Sequence, residues 1–354
     1  MPDLLSLDDY RDVTPEWLTR ALARKFPGTE VTSLFLGTVI HGTSTKVRLL
    51  LTYNDAGQAH RLPPTMWLKG GFEPHSPLRA RIYAGEAAFY RDVSELLDIG
   101  CAKTYFAEVD DEGARSLILM EDLLARGATF GRATRPVTPD QAARILSVLA
   151  KMHARFWRDD AIDAYPWLMN GGALGASNII AKHFGQENWD RCLGLPRAVH
   201  IPEALRDRTR MGALVDRMMR EDREKAFCFV HGDTHIGNTF WEPDGACGYV
   251  DWATPMKGHW AHDVSDFISG GLTIEDRRRS DRDLIRHYIG ELASHGVEAP
   301  SFDDAWFEYR RHIIYNFGAA ICAPELQPED VCTVSAERVC AAILDLETLK
   351  AWED

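Results

Sequence analysis

The stretch FVHGDTHIGNTFWEPDGACGYVDW, residues 229–252, places histidines, aspartates and an asparagine between short apolar runs. Side chains of these types can bind zinc, form a hydrolase centre, or supply part of a phosphoryl-transfer site. Each of these chemistries needs different partner residues elsewhere in the chain. The elements outside the stretch therefore decide between them.

Two of these side chains have an informative spacing. Asp233 and Asn238 are five positions apart in the pattern His-Gly-Asp-x-x-x-x-Asn, which is the Asp-to-Asn spacing of the protein-kinase catalytic loop. An aspartate there can orient an acceptor hydroxyl and take its proton, and an asparagine carbonyl suits magnesium. Asp251 follows at the end of a predicted strand, where a second magnesium ligand is expected. The spacing favours phosphoryl transfer, with Asp233 as the base and Asn238 and Asp251 as metal ligands.

The rest of the chain has two differently patterned regions. Up to about residue 120, β-branched and apolar runs predict strands at VTSLFLGTV, KVRLLLTY, TMWLKGGF, KTYFAEVD and SLILMEDL, with one helix over PLRARIYAGEAAFYRDVSELL. The NDAG sequence at 54–57 predicts a hairpin turn. From the capping-box sequence at Thr138 onward the pattern is mainly helical. We predict an α+β fold with an antiparallel sheet lobe (1–120), a hinge (121–125) and a larger, mainly helical C-terminal lobe (126–354).

VHGDTHIGN followed by VDW resembles the aminoglycoside phosphotransferase and choline-kinase-like superfamily. HWAHDVSDF and LAKMHARFW are similar to flanking motifs of its ecdysteroid-kinase-like branch. The two-lobe order agrees over nearly the whole chain, although the C-terminal motifs are more specific than the N-terminal ones. The resemblance implies a protein-kinase-like fold and a kinase that uses ATP and Mg²⁺ to phosphorylate a small-molecule hydroxyl.

The resemblance also assigns roles in the sheet lobe. Lys69, on the third predicted strand, has the position of the lysine that contacts the nucleotide phosphates. Glu86, on the helix that follows, is the predicted partner of Lys69, and Glu73 and Glu95 are its rivals. A lysine or glutamate at such a position is otherwise an exposed surface charge.

The nucleotide would be covered by the small-residue loop containing Gly42, Thr43 and Ser44, whose backbone amides can face phosphates. This loop is a weak motif, and the chain contains no Walker sequence. The predicted hinge would recognise the adenine through backbone groups near Glu121 and Leu123.

Two alternatives remain open from the sequence. A binuclear metallohydrolase would use six ligands from HGDTH and HWAHD, namely His231, Asp233, His235, His259, His262 and Asp263. A nucleotide-binding pseudokinase would keep the motif residues without turnover. In the kinase interpretation, His231, His235 and His153 are supporting residues, and Asp263 is a structural acid that receives amides of the catalytic loop.

The composition limits the partners. The net charge is −13, from 53 acidic and 40 basic residues, which disfavours nucleic acid and anionic membrane. No apolar run approaches the length of a bilayer span, and the N-terminus lacks a signal pattern. The seven cysteines are scattered, so we expect free thiols. We therefore expect a cytoplasmic protein, whose oligomeric state the sequence leaves unknown.

The acceptor pocket is expected in the helical lobe, from the 160–200 region and from WFEYRRHIIYNF. Trp306, Tyr309, Tyr315 and Phe317 either line this pocket or, at their helical spacing, pack in the core. No dense acidic run in this part of the chain suits a polycation such as an aminoglycoside. The resemblance to the ecdysteroid-kinase-like branch implies instead a neutral or lipophilic alcohol.

Overall fold

The computed structural model describes residues 4–110, 112–168, 182–225 and 228–353. The chain divides into two compact units. The first unit comprises Met1–Thr129, Glu242–Asp244 and Val250–Ala253, and the second comprises Phe130–Trp241, Gly245–Tyr249 and Thr254–Asp354. The first unit thus includes two short segments that the sequence analysis assigned to the C-terminal lobe.

The first unit is built on a five-stranded sheet in the order β1-β2-β3-β5-β4, with every neighbouring pair antiparallel. Its strands are β1 (Val31–Ile40), β2 (Thr45–Tyr53), β3 (Thr65–Gly70), β4 (Thr104–Val109) and β5 (Ser116–Glu121). The five strands predicted from the β-branched and apolar runs are all present, and β3 ends at Gly70.

Alternation along β2 and β3 gives this sheet two different faces. Val47 and Leu49 of β2 are opposite Leu68 and Met66 of β3, and all four are buried in one hydrophobic core. The helix α1 (Pro15–Ala23) contributes to this core, and Thr14 caps its first turn by accepting the N–H of Trp17. The opposite face of the same two strands carries polar and charged side chains, which include Lys69.

Helical segments also lie between the strands of this unit. The predicted helix over 77–97 is present as α3 (Ala80–Ala88), a π turn (Phe89–Val93) and α4 (Ser94–Leu97). The predicted hairpin turn at NDAG is wrong. Asn54 instead caps a short helix, α2 (Asp55–Ala59), by accepting the N–H of Gly57, because an asparagine that favours turns is an equally good N-cap.

The second unit is mainly helical. Its described helices are α5 (Pro139–Arg155), α6 (Gln186–Leu193), α7 (Arg208–Glu224), α8 (Trp260–Gly271), α9 (Ile274–Ser294), α10 (Phe302–Ala320) and α11 (Glu329–Asp345). The Thr138 capping box begins α5 as predicted. Helix α5 packs on α9, and α10 packs on both α8 and α11.

Short strands frame the motif stretch in this unit. β6 (Thr129–Phe130) lies where the first unit ends, and the others are β7 (Cys228–Val230), β8 (Thr239–Trp241), β9 (Cys247–Tyr249) and β10 (Met256–Gly258). β7 pairs with β10, and β8 pairs with β9, both antiparallel. An antiparallel sheet unit with an inner helix, followed by a larger helical unit, confirms the predicted fold class. Among the described helices, none is both long and apolar enough to span a membrane.

Candidate active site

A buried lysine lies at the centre of the polar cluster in the first unit. Nζ of Lys69, on β3, lies 2.7 Å from Oε1 of Glu86 on α3 and 2.8 Å from Oδ1 of Asp251. Lys69 and Glu86 are 5% and 2% exposed. The rival acids lie elsewhere, since Glu73 accepts hydrogen bonds from His41 and Thr45, and Glu95 pairs with Lys25.

The carboxylates of Glu86 and Asp251 determine the protonation state of Lys69. Burial alone would lower the pKa of Lys69, but the negative charges of Asp251 and Glu86 raise it above its usual value. Lys69 therefore remains an ammonium ion, held in place by two charge-assisted hydrogen bonds.

Asp251 reaches Lys69 through an anchored and strained segment. The next residue, Trp252, is fully buried and stacks on Phe89 with ring centroids 4.1 Å apart. Phe89 follows Glu86 by three residues, so one helical face positions both the glutamate and the Asp251 segment. Asp251 itself has a φ of 60°, an unfavourable conformation for an aspartate that surrounding contacts must maintain.

The loop containing Gly42, Thr43 and Ser44 is tied to the chain that follows β3. The carbonyl of Thr43 accepts hydrogen bonds from the Tyr83 hydroxyl and, at 3.1 Å, from Nε2 of His75. Ser44 is buried, whereas the space around Gly42 leaves room for a Cβ. The loop is therefore fixed at its centre by side chains on the segment that connects Lys69 to Glu86.

The predicted hinge has several backbone groups already in use. The N–H of Glu121 donates to the Lys103 carbonyl at 2.9 Å, and the carbonyl of Leu123 accepts the N–H of Ala128 at 3.1 Å. The carboxylate of Asp122 accepts hydrogen bonds from Arg48 and Trp67, a role that sequence reasoning missed. The Glu121 N–H and the Leu123 carbonyl are therefore already paired within the chain.

In the second unit, the loop between β7 and β8 brings Asp233 and Asn238 together. Nδ2 of Asn238 donates to the Asp233 backbone carbonyl at 2.9 Å and to its Oδ2 at 3.2 Å. These bonds assign the amide orientation, which turns the carbonyl oxygen of Asn238 away from Asp233. The Asp233 side chain is about half exposed, at 47%.

A fully buried carboxylate anchors this loop. Asp263, on α8, accepts the backbone N–H groups of His231 and Gly232 at 2.8 and 2.9 Å, and Nε2 of His153 lies 3.2 Å away. Burial alone would raise the pKa of Asp263, but the hydrogen bond and charge of His153 lower it. Asp263 therefore has the predicted contacts of a structural acid. His231 accepts the N–H of Asp233 through Nδ1, so it also contacts the loop backbone.

Two further residues lie near Asp233, and sequence reasoning missed one of them, Asp266. Asp266, on α8, is hydrogen-bonded to Thr234 at 3.4 Å, and burial raises its pKa to about 7 with a further contribution from the charge of Asp233. The ring centroids of Tyr315, on α10, and His262 are 4.2 Å apart. Burial raises the pKa of Tyr315, and the charge of Asp233 adds to this. The sequence did not indicate Asp266, because a second acidic residue in one helix of an acidic chain has no distinctive spacing.

Among the described residues, the six predicted ligands of the metallohydrolase alternative do not form a group that could hold a metal ion. Nδ1 of His259 caps α8, Nε2 of His262 bonds to the Gly232 carbonyl, and Nδ1 of His235 accepts the N–H of Gly237. His231 and Asp263 bind the loop backbone as described above.

One other group of potential metal ligands occurs among the described residues, formed by His259, Glu308 and His312. His312 uses both ring nitrogens, donating to the Glu308 carbonyl at 2.6 Å and to Asp222 at 3.0 Å. Burial lowers the pKa of His312, but the charge of Asp222 raises it above its usual value. We therefore interpret His312 and Asp222 as a buried ion pair, and the ring of His259 stacks on that of His312.

The predicted acceptor region is only partly described, since 169–181 lies outside the described residues. Of the four aromatic candidates on α10, Tyr309 and Phe317 are fully buried in the core. Trp306 stacks on Phe302, leaving Tyr315 as the aromatic candidate whose contacts lie beside the loop of Asp233.

Comparison with known proteins shows the family of this chain. The model of the phosphotransferase enzyme family (APH) matches residues 72–299, which is more than half of the 354 residues, and the chain belongs to this family. A kinase-like protein of Caenorhabditis elegans is 23% identical over 241 residues, covering 66% of this chain and 62% of the relative. The chain thus spans less than two thirds of that relative's length.

Solved structures with similar folds are more distant. An ethanolamine kinase of Plasmodium vivax matches with a TM-score of 0.49 and 13% identity, over 87% of this chain and 81% of that one. The choline kinase LicA of Streptococcus pneumoniae matches with a TM-score of 0.47 and 12% identity, over 94% and 98%. Membership of the phosphotransferase enzyme family rests on the family match over 72–299 and not on these structures.

Proposed function

We propose that this phosphotransferase moves the γ-phosphoryl group of ATP, with Mg²⁺, to a hydroxyl of a small molecule. The observation that carries the proposal is the buried ammonium of Lys69, held by Glu86 and Asp251. A lysine on the surface does not need two carboxylates to hold it in place. A lysine that contacts phosphate oxygens must be held at a fixed point, and two carboxylates can do this.

In this proposal, the first unit binds the nucleotide. Lys69, oriented by Glu86, contacts the inner phosphates, and amides of Gly42, Thr43 and Ser44 cover them. The Glu121 carbonyl and the Leu123 N–H meet the nucleotide base. Support comes from the ties of the loop to His75 and Tyr83, which pre-organise it.

Asn238 and Asp251 are the proposed magnesium ligands. Both offer hard oxygens, which this ion prefers, and neither residue is a thiol or imidazole that would favour a transition metal. The hydrogen bonds from Nδ2 of Asn238 to Asp233 support this assignment, because they leave Oδ1 as the ligand atom. When bound, the ion neutralises charge on the β- and γ-phosphates.

Asp233 is the proposed base. Its exposed carboxylate is accessible to an acceptor, and its backbone is fixed by His231 and by the Asp263 anchor. Asp233 orients the acceptor hydroxyl and takes its proton as the oxygen attacks phosphorus.

The acceptor is proposed to be a neutral or lipophilic alcohol. Tyr315 and His262 offer ring surface near Asp233. The pKa of about 7 leaves Asp266 partly protonated at neutral pH, so this acid contributes less than a full negative charge. An aminoglycoside pocket would instead need several ionised carboxylates for its ammonium groups.

The test is phosphate transfer from labelled ATP or GTP, with Mg²⁺, to a panel of sterols, neutral alcohols, amino alcohols, sugars and aminoglycosides. We expect transfer to a neutral or lipophilic alcohol. The matched pair is Asp233→Asn and Asp216→Asn, since Asp216 is an exposed residue on α7. Nucleotide binding without transfer to any acceptor would instead support the pseudokinase alternative.

A further inference from the structure

A second lysine lies directly across the sheet from Lys69. In the antiparallel register of β2 and β3, Lys46 is the partner of Lys69. Paired residues in such a ladder project from the same face, with Cβ atoms about 5 Å apart. Lys46 therefore belongs to the polar face of the sheet rather than to the core that contains Val47 and Leu49.

The two lysines differ in their partners. Lys69 has both carboxylates of the cluster, whereas the ammonium of Lys46 forms no hydrogen bond or ion pair with any residue that the structure describes. The charge of Lys69, followed by burial, lowers the pKa of Lys46, and Asp251 and Glu86 offset this only in part. Like charges opposite one another on a sheet are destabilising, so this arrangement costs folding free energy.

Lys46 lies close in sequence to the loop that is proposed to cover the phosphates. Lys46 follows Ser44 of the phosphate-covering loop by two residues, and the intervening Thr45 is fixed by its hydrogen bond to Glu73. Lys46 thus lies at the start of β2, next to the covering loop in sequence and opposite Lys69 in the sheet. An anion that contacts both ammonium groups would remove their repulsion and convert it into two attractions.

We propose that Lys46 is a second phosphate-binding lysine, which contacts the nucleotide polyphosphate beside Lys69. The proposal rests on the proposed function, because it takes the ligand of Lys69 to be a nucleotide. A competing role is that Lys46 only balances the net charge of −1 carried by Lys69, Glu86 and Asp251. The two roles make opposite predictions for the unliganded protein.

The experiment compares Lys46→Gln, Lys46→Arg and the exposed control Lys25→Gln by calorimetric titration with MgATP, MgGTP, adenosine and inorganic tripolyphosphate. We expect Lys46→Gln to weaken MgATP and tripolyphosphate binding about tenfold, which corresponds to about 1.4 kcal/mol. Lys46→Arg retains most of the affinity, and adenosine binding does not change. Without ligand, the melting temperature of Lys46→Gln is equal to or above that of the wild type.

Other outcomes separate this proposal from the proposed function. Wild-type affinity for MgATP and tripolyphosphate in Lys46→Gln, or a lower melting temperature with unchanged affinity, would overturn the role of Lys46 and leave the kinase proposal intact. If the wild type binds neither nucleotide, the proposed function fails. Lys46 then remains a phosphate-binding residue only if tripolyphosphate binds and Lys46→Gln weakens it, and the absence of tripolyphosphate binding overturns both.

Discussion

Nζ of Lys69 lies 2.8 Å from Oδ1 of Asp251, a residue 182 positions later in the chain. This contact joins the β3 strand to the segment Val250–Ala253, which belongs to the same compact unit. The lysine, its helix partner Glu86 and the proposed metal ligand Asp251 are consequently one cluster.

The first prediction concerns Glu86. Replacing it by Gln removes one of the two charges that hold Lys69, so the ammonium shifts toward Asp251 and competes with the proposed metal ligand role. We expect MgATP affinity to fall about tenfold, measured by calorimetry. Glu95→Gln is the control, since Glu95 is exposed and pairs with Lys25. Equal MgATP affinities for the two variants would remove Glu86 from the nucleotide site.

The choice among Glu86, Glu73 and Glu95 shows what the sequence can and cannot predict. The strand carrying Lys69 and the helix carrying Glu86 follow from local patterns, because hydrophobic periodicity and glycine positions are local properties. Which glutamate reaches the lysine depends on the helix phase relative to β3, which is a tertiary property. Lys46 was missed for a similar reason, since cross-strand register is not visible from a single strand.

The catalytic-loop residues were more predictable than those around them. Asp233 and Asn238 occur within six residues, so their spacing is informative on its own. Asp266 is brought near Asp233 only by the packing of α8 against the loop, through Thr234. Asn54 shows that a local signal can also be ambiguous, because an asparagine is compatible with both a turn and the start of a helix.

The second prediction concerns Gly232, which precedes Asp233. Its φ is +81°, and a Cβ there would lie 2.3 Å from the Thr254 carbonyl oxygen. We expect Gly232→Ala to reduce the free energy of unfolding by more than about 2 kcal/mol in urea denaturation. Gly290→Ala is the matched control, because nothing lies within 4 Å of its Cβ position in α9. That change should stabilise the helix by up to about 1 kcal/mol, and similar losses in both variants would contradict the steric account.

The third prediction is a pH dependence at Asp266. Burial raises its pKa from 3.8 to about 7; the charge of His235 and the Thr234 hydrogen bond oppose this, and the charges of Asp233 and Asp263 add to it. The folded protein therefore holds a proton that the unfolded chain releases near pH 4. The resulting stability is present below pH 4 and is lost as the pH rises to about 7.

Asp266→Asn cannot ionise, so it avoids this loss. We expect the melting temperature of Asp266→Asn minus that of the wild type to rise between pH 5 and 7 and to level off above pH 7. Asp216→Asn, an exposed control, should show no such trend. A difference for Asp266→Asn that stays constant across this pH range would mean that Asp266 is ionised throughout.

The most direct test of the central claim is the rate of phosphate transfer by Asp233→Asn, measured with MgATP and the best acceptor from the panel. We expect kcat to fall at least about 100-fold, because the base is removed, with MgATP affinity close to that of the wild type and of Asp216→Asn. Transfer by Asp233→Asn at a rate near that of the wild type would contradict the assignment of Asp233 as the base.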